Sequence, residues 1–113
     1  MRKGSDVDKI ALLYTTWPDA ETAEKTARAA VEHRLCACVN IFPAARSVYR
    51  WDNRIEAAAE IVAVFKTTAA KSSELSDFIV AEHPYEVPAV VALADSPDGT
   101  AGGFADWIRK QVI

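Results

Sequence analysis

Residues that most catalytic and metal-binding signatures require are scarce in this sequence. Its 113 residues include two cysteines, two histidines and four glycines. No Gly-x-Ser-x-Gly, His-Glu-x-x-His or Cys-x-x-Cys motif occurs, and no glycine-rich loop leads into Lys-Ser or Lys-Thr. Because the sequence shows no nucleophile–base pair and nothing that names a substrate, we predict that the protein is not an enzyme.

Long apolar runs and an excess of positive charge are absent as well. No apolar run approaches the roughly 18 residues of a membrane-spanning helix, so no membrane partner is predicted. Residues 1–9 are polar and lack the apolar core of a signal peptide, which predicts a flexible segment and a cytoplasmic location. Thirteen basic and sixteen acidic residues give a net charge of −3, and this balance argues against a nucleic-acid partner.

The two cysteines, Cys36 and Cys38, are separated by a single residue. A disulfide is unfavourable in the reducing cytosol. A strand over this segment would place both side chains on the same face. We therefore predict two reduced thiols that act as small buried hydrophobic residues.

Hydrophobic patterning predicts strands and helices in alternation. Strands are expected at residues 10–16, at 36–42 with a resumption at 47–51 after an interruption at Pro43, at 55–67 and at 87–94. Helices are expected at 20–34, at 69–82 and after an N-cap at Thr100. The order βαββαβ predicts one α+β domain over residues 10–113. It would be a ferredoxin-like sandwich, with two helices on one face of an antiparallel sheet and an extra C-terminal helix.

Two aromatic side chains stand close to a predicted hairpin turn. Tyr49 and Trp51 alternate with polar residues, so they share one face of the strand that ends at Asp52-Asn53. A sheet covered by two helices leaves its other face and its edges open, which is a liability unless something packs there. We therefore predict that Tyr49 and Trp51 lie in an interface between copies of the chain.

One segment, stiffened by two prolines, has the highest density of polar groups that could bind a metal ion or carry a proton: Glu82-His83-Pro84-Tyr85-Glu86-Val87-Pro88. Imidazole and carboxylate groups there could hold a borderline metal ion such as Cu²⁺ or Zn²⁺. The alternative is that His83 and Tyr85 fasten a stiff connection to the sheet by hydrogen bonds. Lys66 also has two interpretations, because it could anchor an anion in a cleft with Tyr85 and Glu86 or be a solvated or ion-paired residue.

Several of these motifs together resemble one protein family. The residues that carry the resemblance span nearly the whole chain: Cys38-Val39-Asn40-Ile41, Pro43, Ser47-x-Tyr49-x-Trp51, Ile55-Glu56, Glu60, Lys66-Thr67 and His83-Pro84-Tyr85-Glu86-Val87-Pro88. They are similar to the CutA family of divalent-cation tolerance proteins. The resemblance implies a ferredoxin-like homotrimer, similar in architecture to the PII signalling proteins, that is associated with tolerance to copper and other divalent cations.

The resemblance also implies where a metal ion would bind. Some family members have copper ligands assigned to a cysteine at the end of the first strand and to two consecutive histidines before Pro-Tyr. Thr15, Glu82 and His83 occupy those positions here. Without the cysteine thiolate the site is unfavourable for Cu(I), so the implied bound ion is Cu²⁺ or another divalent ion. The alternative function is a PII-like signalling trimer that binds a small anion in clefts between subunits, lined by Lys66, Tyr85 and Glu86.

Overall fold

A computed structural model describes residues 9–113, so the predicted flexible segment lies, apart from Lys9, outside the described residues. The elements follow the predicted order: β1 (Ile10–Trp17), α1 (Ala20–Glu32), β2 (Cys38–Trp51), β3 (Arg54–Thr68), a 3-10 turn (Ala69–Lys71), α2 (Ser72–Glu82), β4 (Val90–Ala94) and α3 (Gly102–Gln111). Within the described residues, the strands form one antiparallel sheet in the order β2-β3-β1-β4. This arrangement confirms the predicted ferredoxin-like α+β fold with an additional C-terminal helix.

The main core lies between one face of the sheet and the helices α1 and α2. Its largest fully buried side chains on the sheet are Leu13, Trp17 and Phe65, and Leu75 and Ile79 of α2 pack against them. Helix α1 contributes small side chains, which allow it to lie close to the sheet: Ala23, Ala27 and Ala30. Burial of this apolar surface is the main source of stability for the fold.

The start of α1 follows the prediction from its sequence. The side chain of Asp19 accepts a hydrogen bond of 2.8 Å from the backbone N–H of Thr22 and so caps the helix. Val31, which shares a helical face with Ala23 and Ala27 by its spacing, is 41% exposed.

Strand β2 is continuous where two shorter strands were predicted. Its pairing with β3 shifts between Phe42 and Ala45, so the chain absorbs Pro43 as a bulge and the strand goes on to Trp51. The strand also begins two residues later than predicted. Cys36 packs in the core beneath α1, where Val39 packs as well, so alternation places Cys38 on the opposite face of the sheet. The prediction that both thiols share one face was therefore wrong.

The long β2–β3 hairpin extends beyond the sheet and ends in a two-residue turn. Asp52 and Asn53 both have positive φ, at 53° and 63°. Positive φ at both central residues is the geometry of a type I′ turn, which matches the twist of the two strands. The predicted turn is therefore confirmed.

Replacing Asn53 tests how much this turn contributes to stability. We expect Asn53→Ala to lower the free energy of unfolding by about 1 kcal/mol, because a side chain without a local hydrogen-bonding group adopts the left-handed region at a cost. Asn53→Gly is the matched control and should leave stability unchanged or slightly higher, since glycine adopts this region freely. Urea denaturation at one fixed protein concentration measures both. Equal destabilisation by the two variants would contradict this account of the turn.

Helix α3 lies on the opposite side of the sheet from α1 and α2. Ala105 and Ile108 pack against Ile10 and Ala37 at one end of that face. The predicted cap was wrong, because Ala101 stands at the N-cap and the hydroxyl of Thr100 donates instead to the carbonyl oxygen of Ser96 at 2.8 Å.

No element among residues 9–113 covers the rest of that sheet face, and we call it the open face. The polar side chain of Asn40 is exposed on this face, but the large exposed side chains are mostly apolar. They lie on three strands, with two aromatic residues of α3 at the margin: Phe42, Tyr14, Val91, Leu93, Phe104 and Trp107. None of the helices in residues 9–113 is long and apolar enough to span a membrane.

Candidate functional site

The candidate site begins at the end of β1, where Thr15 and Trp17 point to the same buried face. Both side chains have no solvent exposure. The indole Nε1–H of Trp17 donates a hydrogen bond of 2.6 Å to Oγ1 of Thr15. The hydroxyl of Thr15 in turn donates to the carbonyl oxygen of Ala63 on β3 at 2.7 Å. The Thr15 hydroxyl therefore acts as acceptor and donor at once, in a place that water does not reach.

His83 follows the last residue of α2 and contacts Trp17. Pro84 disfavours helical geometry for the residue before it, and His83 accordingly has extended backbone angles of −76° and 138°. Its ring stacks on Trp17 with 4.1 Å between the ring centroids. Nε2 lies 2.7 Å from the carbonyl oxygen of Thr16, and Nδ1 accepts a hydrogen bond of 3.0 Å from the backbone N–H of Tyr85. Because Nδ1 accepts from this N–H, Nε2 is the ring nitrogen that donates to the Thr16 carbonyl oxygen.

Tyr85 extends the arrangement to the base of the hairpin. Its ring lies 4.8 Å from that of His83, and its hydroxyl donates to Oε2 of Glu60 at 3.2 Å. Partial burial and then the neighbouring Glu60 carboxylate raise the pKa of the Tyr85 phenol above its ordinary value. Glu86 and Val87 follow on the exposed part of the loop.

The implied metal ligands can now be compared with this geometry. The Thr15 hydroxyl is buried and fully engaged, both ring nitrogens of His83 have partners, and Glu82 is exposed at the end of α2. Across residues 9–113, no group of three or more histidine, cysteine, aspartate or glutamate side chains could hold a metal ion. As the chain is folded, Thr15, Glu82 and His83 do not fit a shared copper ion.

Lys66 lies far from Tyr85 and Glu86 within one chain. It sits on β3 six residues from Glu60, which corresponds to about 20 Å along a strand. Its Nζ lies 5.2 Å from the centroid of the Phe104 ring, a distance suited to a cation–π contact. A cleft that contains Lys66, Tyr85 and Glu86 would therefore need residues from more than one copy of the chain, and it stays a prediction.

The predicted interface residues are exposed on the hairpin, and one site residue was missed. Tyr49 is 43% exposed and Trp51 is 69% exposed, so both are available for association, which stays a prediction. Trp17 was not predicted to belong to the site. Its position two residues after Thr15 on the same strand was the available signal, since residues i and i+2 share a face.

The two thiols differ in environment, which gives a test of the core. Burial, and to a lesser extent the nearby Cys38 thiol, raises the pKa of Cys36 to about 12. We expect iodoacetamide at about pH 8 to modify Cys38, which is partly buried, well before Cys36, because the thiolate is the reactive form. Tandem mass spectrometry locates the label, and urea-unfolded protein is the control in which both sites should react alike. Equal rates in the folded protein would contradict the buried placement of Cys36.

The raised pKa of Cys36 also makes the stability of the fold depend on pH. Because folding raises the pKa of the Cys36 thiol from its ordinary value of 9.0, the protonated thiol favours the folded state, and this contribution is complete below about pH 9. The contribution is lost as the pH rises through about 12. Stability is therefore expected to fall over this alkaline range, and to fall less steeply in Cys36→Ala.

The antiparallel sheet, the two helices on one face and the protruding hairpin define a ferredoxin-like α+β protein. The chain belongs to the CutA family: the model of the CutA1 divalent ion tolerance protein family matches residues 11–111. This confirms the resemblance found in the sequence motifs.

Curated relatives and solved structures give the same result. The chain is 40% identical to human Protein CutA over 101 residues, which cover 89% of this chain and 55% of the human protein. It is 39% identical to the divalent-cation tolerance protein CutA of Thermus thermophilus over 104 residues, covering 92% of this chain and 97% of that protein. The crystal structure of CutA from Xylella fastidiosa matches with a TM-score of 0.88 at 34% identity, over 96% of this chain and 100% of that one. The chain thus spans about half the length of its human relative and nearly all of the bacterial ones.

Proposed function

We propose that the chain forms a homotrimer that acts in tolerance to divalent cations, copper in particular. Membership of a divalent ion tolerance family supports the cellular role. The observation that carries the assembly is the open face, whose apolar side chains lie on a surface that neither α1 nor α2 covers. The predicted cytoplasmic location is part of this proposal.

A closed assembly of three copies accounts for the main exposed features of one chain. Contiguous apolar surface of this kind usually marks an interface. In the part of the chain that the structure describes, β2 and β4 are the edge strands of the sheet, and cyclic association can pair or cover such edges. Tyr49 and Trp51, on the hairpin that extends from the sheet, would then bury large aromatic surfaces against a neighbouring copy.

Copper enters this proposal as the stress that the protein counters, and no ligand to the ion is assigned. The residues at the family's ligand positions, Thr15, Glu82 and His83, do not fit an ion as the chain is folded. The alternative proposal, a PII-like trimer that binds a small anion, is favoured by one observation. The Lys66 ammonium lies next to the first turn of α3, whose N-cap residue Ala101 supplies no side-chain hydrogen bond.

Growth under metal stress tests the proposed role. Cells that lack their own CutA protein would carry either this chain or an empty vector and be grown in graded copper sulfate. We expect the chain to raise the copper concentration at which growth stops. The variant Val91→Asp, which places a charge in the open face, should not do so if the assembled protein is the active form. Equal sensitivity of cells with the chain and with the empty vector would overturn the proposed role.

A further inference from the structure

We infer that Thr15, Trp17 and His83 form a metal-independent network that fastens the 83–88 loop, so that His83 is a positioning residue and not a metal ligand. The network consists of the side chains of these three residues together with the Thr16 carbonyl and the Tyr85 N–H. This inference concerns a single folded chain. It does not depend on the proposed trimer or on the proposed role in tolerance.

A metal ion needs a free lone pair on each ligand, and the network leaves none on the imidazole of His83. An ion at Nε2 would have to displace the proton that is donated to the carbonyl oxygen of Thr16 at 2.7 Å. An ion at Nδ1 would have to displace the N–H of Tyr85 at 3.0 Å. An ion bound at either nitrogen would also disturb the stacked contact with Trp17, since that contact orients the imidazole ring. His83 is 8% exposed, so an ion would bind there only after the loop had moved.

The threonine at position 15 is what closes the network. The Trp17 indole N–H is a donor without acceptor capacity, and when buried it needs a partner. The Thr15 oxygen supplies that partner at 2.6 Å while its own proton satisfies a second contact to Ala63 at 2.7 Å. A thiol is a weak donor and a weak acceptor, so cysteine would serve both contacts poorly. Threonine at position 15 therefore lacks the soft thiolate of cysteine and forms the hydrogen bonds to Trp17 and Ala63 that cysteine would form poorly.

Metal titration with matched histidine variants tests the inference. The probe is Cu²⁺, and in parallel Zn²⁺, titrated by calorimetry into the purified full chain, the His83→Gln variant and the His33→Gln variant. His33 is the matched control because it is exposed at the end of α1. We expect His83→Gln to bind both ions with the wild-type affinity, within about twofold, because the imidazole of His83 is not a ligand. A loss of about tenfold or more, about 1.4 kcal/mol, confined to His83→Gln would overturn the inference.

The positioning role is measured separately by amide hydrogen exchange. The Tyr85 amide should be protected in the wild type because it donates to Nδ1 of His83. Asparagine carries an acceptor at a position similar to Nδ1, so His83→Asn should retain most of this protection, whereas His83→Ala should lose it. Protection that is unchanged in His83→Ala would overturn the role. Addition of Zn²⁺ should leave the exchange rate of the wild-type Tyr85 amide unchanged, and a change would count against metal independence.

A substitution toward the cysteine ligand that the family resemblance implies completes the test. Thr15→Cys places a thiol beside the Trp17 indole, where the Thr15 hydroxyl now lies. We expect it to lower the melting temperature, since the buried indole loses its acceptor, and to add no Cu²⁺ site that depends on His83. A Cu²⁺ affinity that rises about tenfold in Thr15→Cys and falls back in the double variant with His83→Gln would overturn the inference.

Discussion

Purified protein is expected to scatter light as a particle of about 37 kDa, three times the 12.3 kDa mass of the chain. The physical reason is the open face, where Tyr14, Val91 and Leu93 expose between 40% and 52% of their surface on adjacent strands. Removing such a contiguous apolar surface from water favours association by roughly 25 cal/mol for each square ångström buried, before the entropy lost in assembly is subtracted. Multi-angle light scattering at low micromolar concentration provides the measurement.

A pair of identical substitutions separates this interface from general surface effects. Val91 on the open face is 52% exposed and Val80 on α2 is 47% exposed. We expect Val91→Asp to shift the particle toward the mass of one chain, because a charge would have to be buried without a partner. Val80→Asp should leave the mass unchanged. Trp51→Ala should lower the melting temperature and make it depend on protein concentration, since stability is linked to association.

A monodisperse particle of one chain mass that melts cooperatively at a temperature independent of concentration would contradict the trimer. A Val91→Asp protein that keeps the wild-type mass would contradict the open face as its interface. A stable dimer would also contradict the cyclic arrangement of three copies, while it would still assign an interface to the open face.

The order of the elements could be predicted from the sequence because it depends on local signals. The side chain of Asp19 can cap a helix that follows it, and Asp52-Asn53 tolerates positive φ, so both boundaries are visible without tertiary contacts. Thr100 illustrates the limit of this approach. It has the chemistry of a cap, but its hydroxyl binds the carbonyl oxygen of Ser96 within the preceding loop, because a hydroxyl can serve either role.

The candidate site was predictable in position but not in chemistry. The proline-bounded segment and the family resemblance both pointed to His83, and one of the two interpretations, that His83 and Tyr85 hydrogen-bond a stiff connection to the sheet, matches the observed contacts. The partner of the Thr15 hydroxyl is Ala63, which lies 48 residues away and is set by the register of β1 and β3. Register depends on the packing of whole strands, so no local pattern reveals which side chains find partners.

The substitution Trp17→Ala is expected to have the largest effect on stability, with a loss of about 3–5 kcal/mol in the free energy of unfolding. The ring is fully buried, stacks on His83 and lies 6.5 Å from Phe65, so its removal leaves a large cavity in the core. The loss also removes the donor to Thr15. A domain of this kind typically has a total stability of about 5–15 kcal/mol, so the change would take much of what is available. Guanidinium denaturation at a fixed protein concentration measures it.

We expect Trp17→Phe to remain folded, so that this variant separates the contribution of packing from that of hydrogen bonding. Phenylalanine retains part of the stacked contact but has no N–H, while Thr15 can still donate to Ala63. We therefore expect a smaller loss, about 1–3 kcal/mol, together with faster exchange of the Tyr85 amide, because His83 loses part of the surface that orients its ring. A Trp17→Phe protein with wild-type stability and wild-type protection of Tyr85 would contradict this account. The loop would then be held by its two prolines and the Tyr85–Glu60 hydrogen bond, without help from the end of β1.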